Sequence, residues 1–194
     1  MAQEQPRVGT YDEFRTTILP RIQAAGYDTL QIMGLAEHPY YASFGYQVAN
    51  FFACSSRFGT PDQLKALIDE AHRLGLRVLM DLVHSHCARN EVEGISRQDG
   101  SDHQYTRAGE RGEHRAWGSR CFAYEKREVL AFLLANCRFW LEEYQVDGFR
   151  FDGVTSMLFL HHGIAHVFRD YGEYFGPAVD EDALAYLTVA NELI

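Results

Sequence analysis

Two short runs constrain the fold of this chain more than anything else in it: Asp81–His86, which reads DLVHSH, and Gly148–Ser156, which reads GFRFDGVTS. Each carries an apolar stretch that finishes in charged or imidazole groups, the pattern of a buried strand whose last residues open onto a polar site. Two such strands separated by helical sequence are the layout of a parallel α/β barrel enzyme, with the reactive groups at the strand ends.

The elements between and around these runs follow the same grammar. Thr10–Glu13 fits a capping box, and Phe14, Ile18 and Ile22 continue at helical spacing, with Pro20 expected to kink or break that helix before Gly26. Thr29–Met33 reads as a strand, and Tyr46–Ala53, rich in aromatic and β-branched residues, as a second. The clearest helix has Thr60 as N-cap, Pro61 in its first turn, Gln63 closing the box, an apolar face of Leu64, Leu67, Ile68, Ala71 and Leu74, and Gly75 as its stop. Arg77–Val83 is apolar on both faces, as a strand inside a parallel sheet should be. Leu130, Leu133, Leu134, Cys137, Trp140, Leu141 and Tyr144 stripe another helix that feeds into Val146–Asp152. The alternation predicts an α/β fold with about four parallel strands, a partial (β/α)8 TIM barrel, because a closed one needs eight strands and usually about 250 residues. The connection 84–124 is long for a packed domain and follows a site-bearing strand, so it is expected to serve the site.

Composition narrows the partners. With 46% hydrophobic and 23% charged residues the chain is ordinary globular material, and a formal net charge of −9 argues against a protein that tracks nucleic-acid phosphates. A neutral, polyhydroxylated partner suits that charge at least as well. No apolar run of about 18 residues offers to span a membrane, and MAQEQPRVG lacks the basic-then-apolar pattern of a secretory signal, so the expected location is the cytoplasm. The cysteines, Cys54, Cys87, Cys121 and Cys137, show no CxxC spacing and read as buried thiols rather than as a disulfide framework or a zinc site.

Along a strand, residues two apart share a face, so Arg150 and Asp152 should point one way and Phe149 and Phe151 the other. The phenylalanines then pack against helices and leave an ion pair facing the barrel axis. A guanidinium beside a partly buried carboxylate is expected to lower its pKa and keep it ionised, as a nucleophile requires. A purely structural salt bridge is the competing reading of the same pair.

The sequence resembles the glycogen and starch branching enzymes of the α-amylase superfamily (glycoside hydrolase family 13). EHPYYASFGYQVANFF, SSRFGTP, DLVHSH, FLLANCRFWLEEYQVDGFRFDGVTSM, YGEYFG and DEDALAYLTVAN occur in the family's order and spacing; AWGSRCF departs from it, with Gly118 where an acidic residue is usual. The resemblance implies that Asp152 is the nucleophile that forms a covalent glycosyl-enzyme and that Arg150 binds it and the sugar. It also implies that Asp81 supports the site, that His86 contacts the glucose on the nonreducing side of the cut, and that Tyr46 stacks on that glucose. For Tyr46 a plain strand aromatic is the alternative. The implied substrate is an α-1,4-glucan such as glycogen, amylose or amylopectin, with no metal and no organic cofactor, in the cytoplasm or, for a starch enzyme, a plastid.

The family's general acid is a glutamate at the end of the strand after Asp152, and its transition-state block lies further on. Glu192 sits in the helical run AYLTVANELI and is no substitute, so residues 1–194 are expected to be the N-terminal half of a catalytic barrel, without the flanking carbohydrate-binding module and β-sandwich. Other α-amylase-family hydrolases and a non-catalytic glucan-binding remnant are alternatives within that reading. A metal-dependent hydrolase is a rival from another class, with the His84/His86 pair, Asp81 and His161–His162, taken to follow a further strand, as zinc ligands. Half a barrel would also leave two strand edges open, near Thr29–Met33 and Val146–Asp152, and invite self-association. The isolated chain is therefore expected to neither branch nor hydrolyse glucan, since loss of acid–base help alone removes about 10²–10⁴-fold in rate. An iodine-spectrum or reducing-end assay that found Asp152-dependent turnover would overturn this.

Overall fold

The structure, a computed structural model, describes residues 7–193. Thr10 caps the first helix as its sequence requires: its side chain accepts from the Glu13 N–H at 3.2 Å while Glu13 reaches back to the Thr10 N–H at 3.0 Å. Helix α1 (Tyr11–Glu13) runs without interruption through a π-helical turn, Phe14–Ile18, into α2 (Leu19–Ala24). Pro20 neither breaks nor ends this helix. The wider turn just before it absorbs the bond that proline cannot donate, which is the common use of such a turn.

Strand β1 (Thr29–Ile32) follows, and then β2 (Ala36–Glu37) and β3 (Asn50–Cys54), which pair antiparallel in a small sheet of their own. The strand expected at Tyr46–Ala53 is thus shorter, starts later and lies outside the parallel sheet, leaving Tyr46 in the loop before it. Aromatic and β-branched residues favour extended backbone in any sheet, so they could not say which sheet this one joins. The loop is closed by glycines: Gly34 and Gly45, both at positive φ (72° and 94°), cross so tightly that a β-carbon on Gly45 would lie 2.1 Å from the Gly34 Cα.

Helix α3 (Pro61–Arg73) carries the predicted capping box between Thr60 and Gln63 and buries Leu64, Leu67, Ile68 and Ala71. Strand β4 (Arg77–Leu82) comes next. The connection 84–124 holds β5 (His86–Ala88), β6 (Glu113–His114) and β7 (Ser119–Cys121), which form a second antiparallel sheet in the order β5-β7-β6. Helix α4 (Arg127–Glu143) leads into β8 (Gly148–Phe151), followed by α5 (Val154–Leu158) and α6 (Glu181–Leu193).

The parallel sheet has three strands in the order β1-β4-β8, not the four expected, with the register Ile32↔Met80↔Phe149. Val78, Met80 and Leu82 are buried, and Phe149 and Phe151 join their cluster together with Leu64, Leu133 and Trp140 from the helices. The alternate residues Gln31, Leu79, Asp81 and Arg150 lie on the opposite face. The sheet does not close on itself, and β1 and β8 are its edges.

Behind β4, His84 organises a polar knot within this core. The side-chain amide of Asn136 donates to the Phe51 carbonyl at 2.6 Å, so its oxygen accepts from His84 Nε2 at 2.9 Å. Nδ1 is then left to accept from the Tyr186 hydroxyl at 2.5 Å. Tyr124 donates to the His84 carbonyl at 2.7 Å, and the Trp140 indole shares the Phe51 carbonyl at 3.2 Å. Asn136 is thereby drawn into the buried stripe of α4, beside Leu133, Cys137 and Trp140.

Burial holds the His84 imidazole neutral and pushes its pKa down to about 4. The unfolded imidazole, near 6.5, takes up a proton that the folded one refuses, so this contribution to stability is complete above about pH 6.5 and is lost as pH falls toward 4. Thermal melts over that interval should show the melting temperature falling with pH, and falling less steeply in His84→Gln. Equal slopes in the two proteins would contradict a neutral buried His84.

Candidate active site

The C-terminal ends of β4 and β8 lie side by side, with Asp81 opposite Arg150, and the Asp152 N–H continues the pairing by donating to the Leu82 carbonyl at 2.9 Å. Asp81 is buried, its side chain 2% exposed, and accepts from Gln31 of β1 at 2.9 Å, from the Tyr46 hydroxyl at 2.8 Å and from Arg150 Nη1 at 3.2 Å. The same Arg150 nitrogen stands 2.9 Å from Asp152 Oδ1. One guanidinium therefore bridges two carboxylates, and the tyrosine loop is tied to the first of them. Arg150 and Asp152 share a face as the strand period requires.

Arg150 lowers the Asp152 pKa as expected, yet the net shift has the opposite sign. Partial burial raises the Asp152 carboxyl above the ordinary aspartate range, and the negative Asp81 adds to this, while Arg150 pulls it back without restoring it. Desolvation, invisible in the motif, outweighs the ion pair that the motif displays. Tyr46 is pushed up to about 12, by burial first and then by its bond to Asp81, and remains a donor at neutral pH.

Immediately after Asp152 the chain turns at Gly153 (φ 68°), and a β-carbon there would stand 2.5 Å from the Ser85 hydroxyl. Only glycine satisfies both the backbone and the space. Ser85 in turn bonds His86 Nδ1 at 2.9 Å, while His86 Nε2 donates to the Tyr46 carbonyl at 2.7 Å. Burial lowers the His86 pKa to about 4, so this ring is neutral.

Asp152, His86 and Tyr46 line one open cleft of about 370 Å³, together with Tyr40, Ser43, Gln47 and Trp117. A second cleft of similar size, beneath β1, is lined by Tyr11, Phe14, Phe44 and Phe58 and carries none of these carboxylates. Sequence reasoning assigned Asp152, Arg150, Asp81, His86 and Tyr46, and the fold brings all five together. It missed Gln31, Ser85 and Trp117. Gln31 had no motif to mark it, whereas Ser85 and Trp117 lay inside quoted motifs without a role.

The zinc reading finds no such cluster: among the described residues no group of three or more His, Cys, Asp or Glu is arranged to hold a metal. Both His84 nitrogens are engaged in the core. His162 follows α5 rather than a strand, and its two nitrogens face the carbonyls of Ser156 and Arg111, at 2.9 and 3.1 Å. The cysteines are all buried free thiols, and burial pushes Cys87 up to about 12 and Cys121 and Cys137 to about 11. No helix among the described residues is long and apolar enough to cross a membrane.

Comparison with known proteins identifies the family. The family "Alpha amylase, catalytic domain" matches residues 17–113. The 1,4-alpha-glucan-branching enzyme of Emericella nidulans is 58% identical over 97% of this chain, that of Dictyostelium discoideum 54% over 100% of this chain, and that of Solanum tuberosum 56% over 100% of this chain. The chain spans only 28%, 28% and 23% of those proteins. Among solved structures, the α-amylase of Geobacillus thermoleovorans complexed with acarbose superposes with a TM-score of 0.64 at 22% identity, over 74% of this chain and 34% of that one. A maltogenic α-amylase of Thermotoga neapolitana gives 0.62 at 22% identity, over 77% and 37%. The fold, the matched family and the extent of identity together establish that this chain belongs to the α-amylase catalytic-domain family and is a homologue of the 1,4-α-glucan-branching enzymes.

Proposed function

We propose that this chain supplies the nucleophile-bearing part of a (β/α)8-barrel branching enzyme that cuts an α-1,4-glucan and rejoins the released segment through an α-1,6 bond, in the cytosol or, for starch, a plastid. The observation that carries the reading is Arg150 Nη1, 2.9 Å from Asp152 and 3.2 Å from Asp81, beside a cleft that Asp152 and Tyr46 line. Asp152 Oδ attacks the anomeric carbon of one glucose, the C1–O4 bond breaks, and O4 leaves with a proton. A 6-hydroxyl of another glucan then displaces Asp152 from C1 and gives up its own proton. Two inversions retain the α configuration.

The proton that leaves with O4 needs a second carboxyl group, about 5–5.5 Å from the nucleophile in retaining enzymes. Asp81 does not fit that task, because its oxygens are already taken up as acceptors by three donors. It serves instead to hold Arg150 and Tyr46. Tyr46 then offers its ring to a sugar face, and His86 reaches the same sugar by exchanging the Tyr46 carbonyl for a glucose hydroxyl. Arg150, its side chain 45% exposed, is free to bond the sugar while still steadying Asp152.

Two outcomes follow in the full-length protein. Asp152→Asn keeps the shape of the site and removes the nucleophile, so kcat should fall by about 10⁴-fold or more with glucan binding retained. Trapping the wild type with a fluorinated glucosyl donor should place the adduct on Asp152 by mass spectrometry. An adduct on another residue would overturn the assignment. In Arg150→Gln the positive charge that opposes desolvation is gone, so Asp152 protonates at still higher pH and the acid limb of the kcat/KM profile should move upward. An unmoved limb would show that a different group controls it.

A further inference from the structure

Trp117 lines the cleft beside Asp152 and has no part in the chemistry described above. It is 43% exposed, on a turn in which its N–H donates to the His114 carbonyl at 3.1 Å and Gly118 takes a positive φ of 60°. Gln47 donates to the Trp117 carbonyl at 2.9 Å, tying the turn to the loop that carries Tyr46. The indole is held as firmly as its backbone. It stacks on the His114 ring, with centroids 3.7 Å apart and planes 15° from parallel, and lies 5.0 Å from the His86 ring. Its six-membered edge reaches Gly153, where an added β-carbon would stand 3.3 Å from Cη2.

His114 is itself 2% exposed, and neither of its ring nitrogens has a hydrogen-bond partner. A buried imidazole without partners is costly, so its position there calls for a gain elsewhere. The gain the geometry offers is a flat backing for the indole. A single exposed hydrophobic side chain is ordinary. One clamped in a single orientation against the residue after a nucleophile is a preorganised surface.

Glucose presents apolar C–H faces, and an indole is the largest flat surface a side chain can lay against them. We infer that Trp117 is a substrate-positioning residue, stacking on a glucose ring of the α-glucan bound beside Asp152, with His114 as its backing. This rests on the glucan reading of the cleft. Stacking is a contact made before the transition state and kept within it, so it should act on KM more than on kcat.

The test compares Trp117→Ala, Trp117→Phe and Asp152→Asn in the full-length protein with maltoheptaose and amylose. Trp117→Ala is expected to raise KM about tenfold with kcat changed far less, as a stacking contact worth about 1–1.5 kcal/mol dictates. Trp117→Phe should recover most of the loss. Maltoheptaose should also perturb an indole fluorescence component present in wild type and in Asp152→Asn but missing from Trp117→Phe; Trp140, the other tryptophan of this chain, is fully buried. Unchanged KM in Trp117→Ala, or an identical fluorescence response in wild type and Trp117→Phe, overturns the inference. Asp152→Asn with full turnover overturns the glucan-transfer reading instead, so the two failures are distinct.

Discussion

A single buried carboxylate holds this site together. Asp81 would be expensive to bury alone, and its cost is offset only because three donors converge on it from three separate segments: Gln31 from β1, Tyr46 from the loop before β3, and Arg150 from β8. None of these segments neighbours another in sequence. Each bond is worth little by itself, yet the group they surround cannot remain buried if they leave. The edge strand, the aromatic loop and the arginine beside Asp152 are therefore fixed by one constraint, and the position of Asp152 follows from it.

His84 and His86 show how two residues of the same type, two positions apart, come to opposite ends. In a continuous strand they would share a face. β4 ends at Leu82, however, and β5 begins at His86, so the alternation does not carry across Val83–Ser85. His84 turns into the core, where Asn136 and Tyr186 satisfy it, and His86 turns to the cleft. The apparent HxH pair dissolves for that reason. A core histidine satisfied at both nitrogens also selects one arrangement of α4 and α6 over others, since few alternatives would match both partners at once.

Much of the architecture was legible in local chemistry. The Thr60–Gln63 box, Gly75 and the apolar faces of α3 and α4 set their helices, and the strand period separated Arg150 and Asp152 from Phe149 and Phe151. The errors arose where the deciding term is non-local. Asn50–Cys54 pairs with Ala36–Glu37 across a loop that Gly34 and Gly45 pinch shut, and the residues of the strand do not name that partner. In the sheet formed by β5, β6 and β7, β6 and β7 are a local hairpin closed by the turn at Gly118, but β5 pairs with β7 at long range, His86 opposite Cys121, with no local signal to announce it. The sign of the Asp152 shift depends on how much water its surroundings exclude, which a tripeptide does not record. Trp117 was visible as a letter, but its role depends on His114 beneath it and Gly153 beside it.

The four thiols give the molecule an unplanned reporter. Cys54 lies in β3, Cys87 and Cys121 in the paired strands β5 and β7, and Cys137 in α4, so the thiols sample both antiparallel sheets and a core helix, and all are buried. Because the thiolate is the reactive form, a sulfur that is shielded and whose pKa burial raises is inert to alkylating and oxidising reagents for as long as its surroundings stay shut. Labelling at each position then proceeds only through openings that expose it. The sequence of labelling would read out the order in which the elements that carry these thiols open.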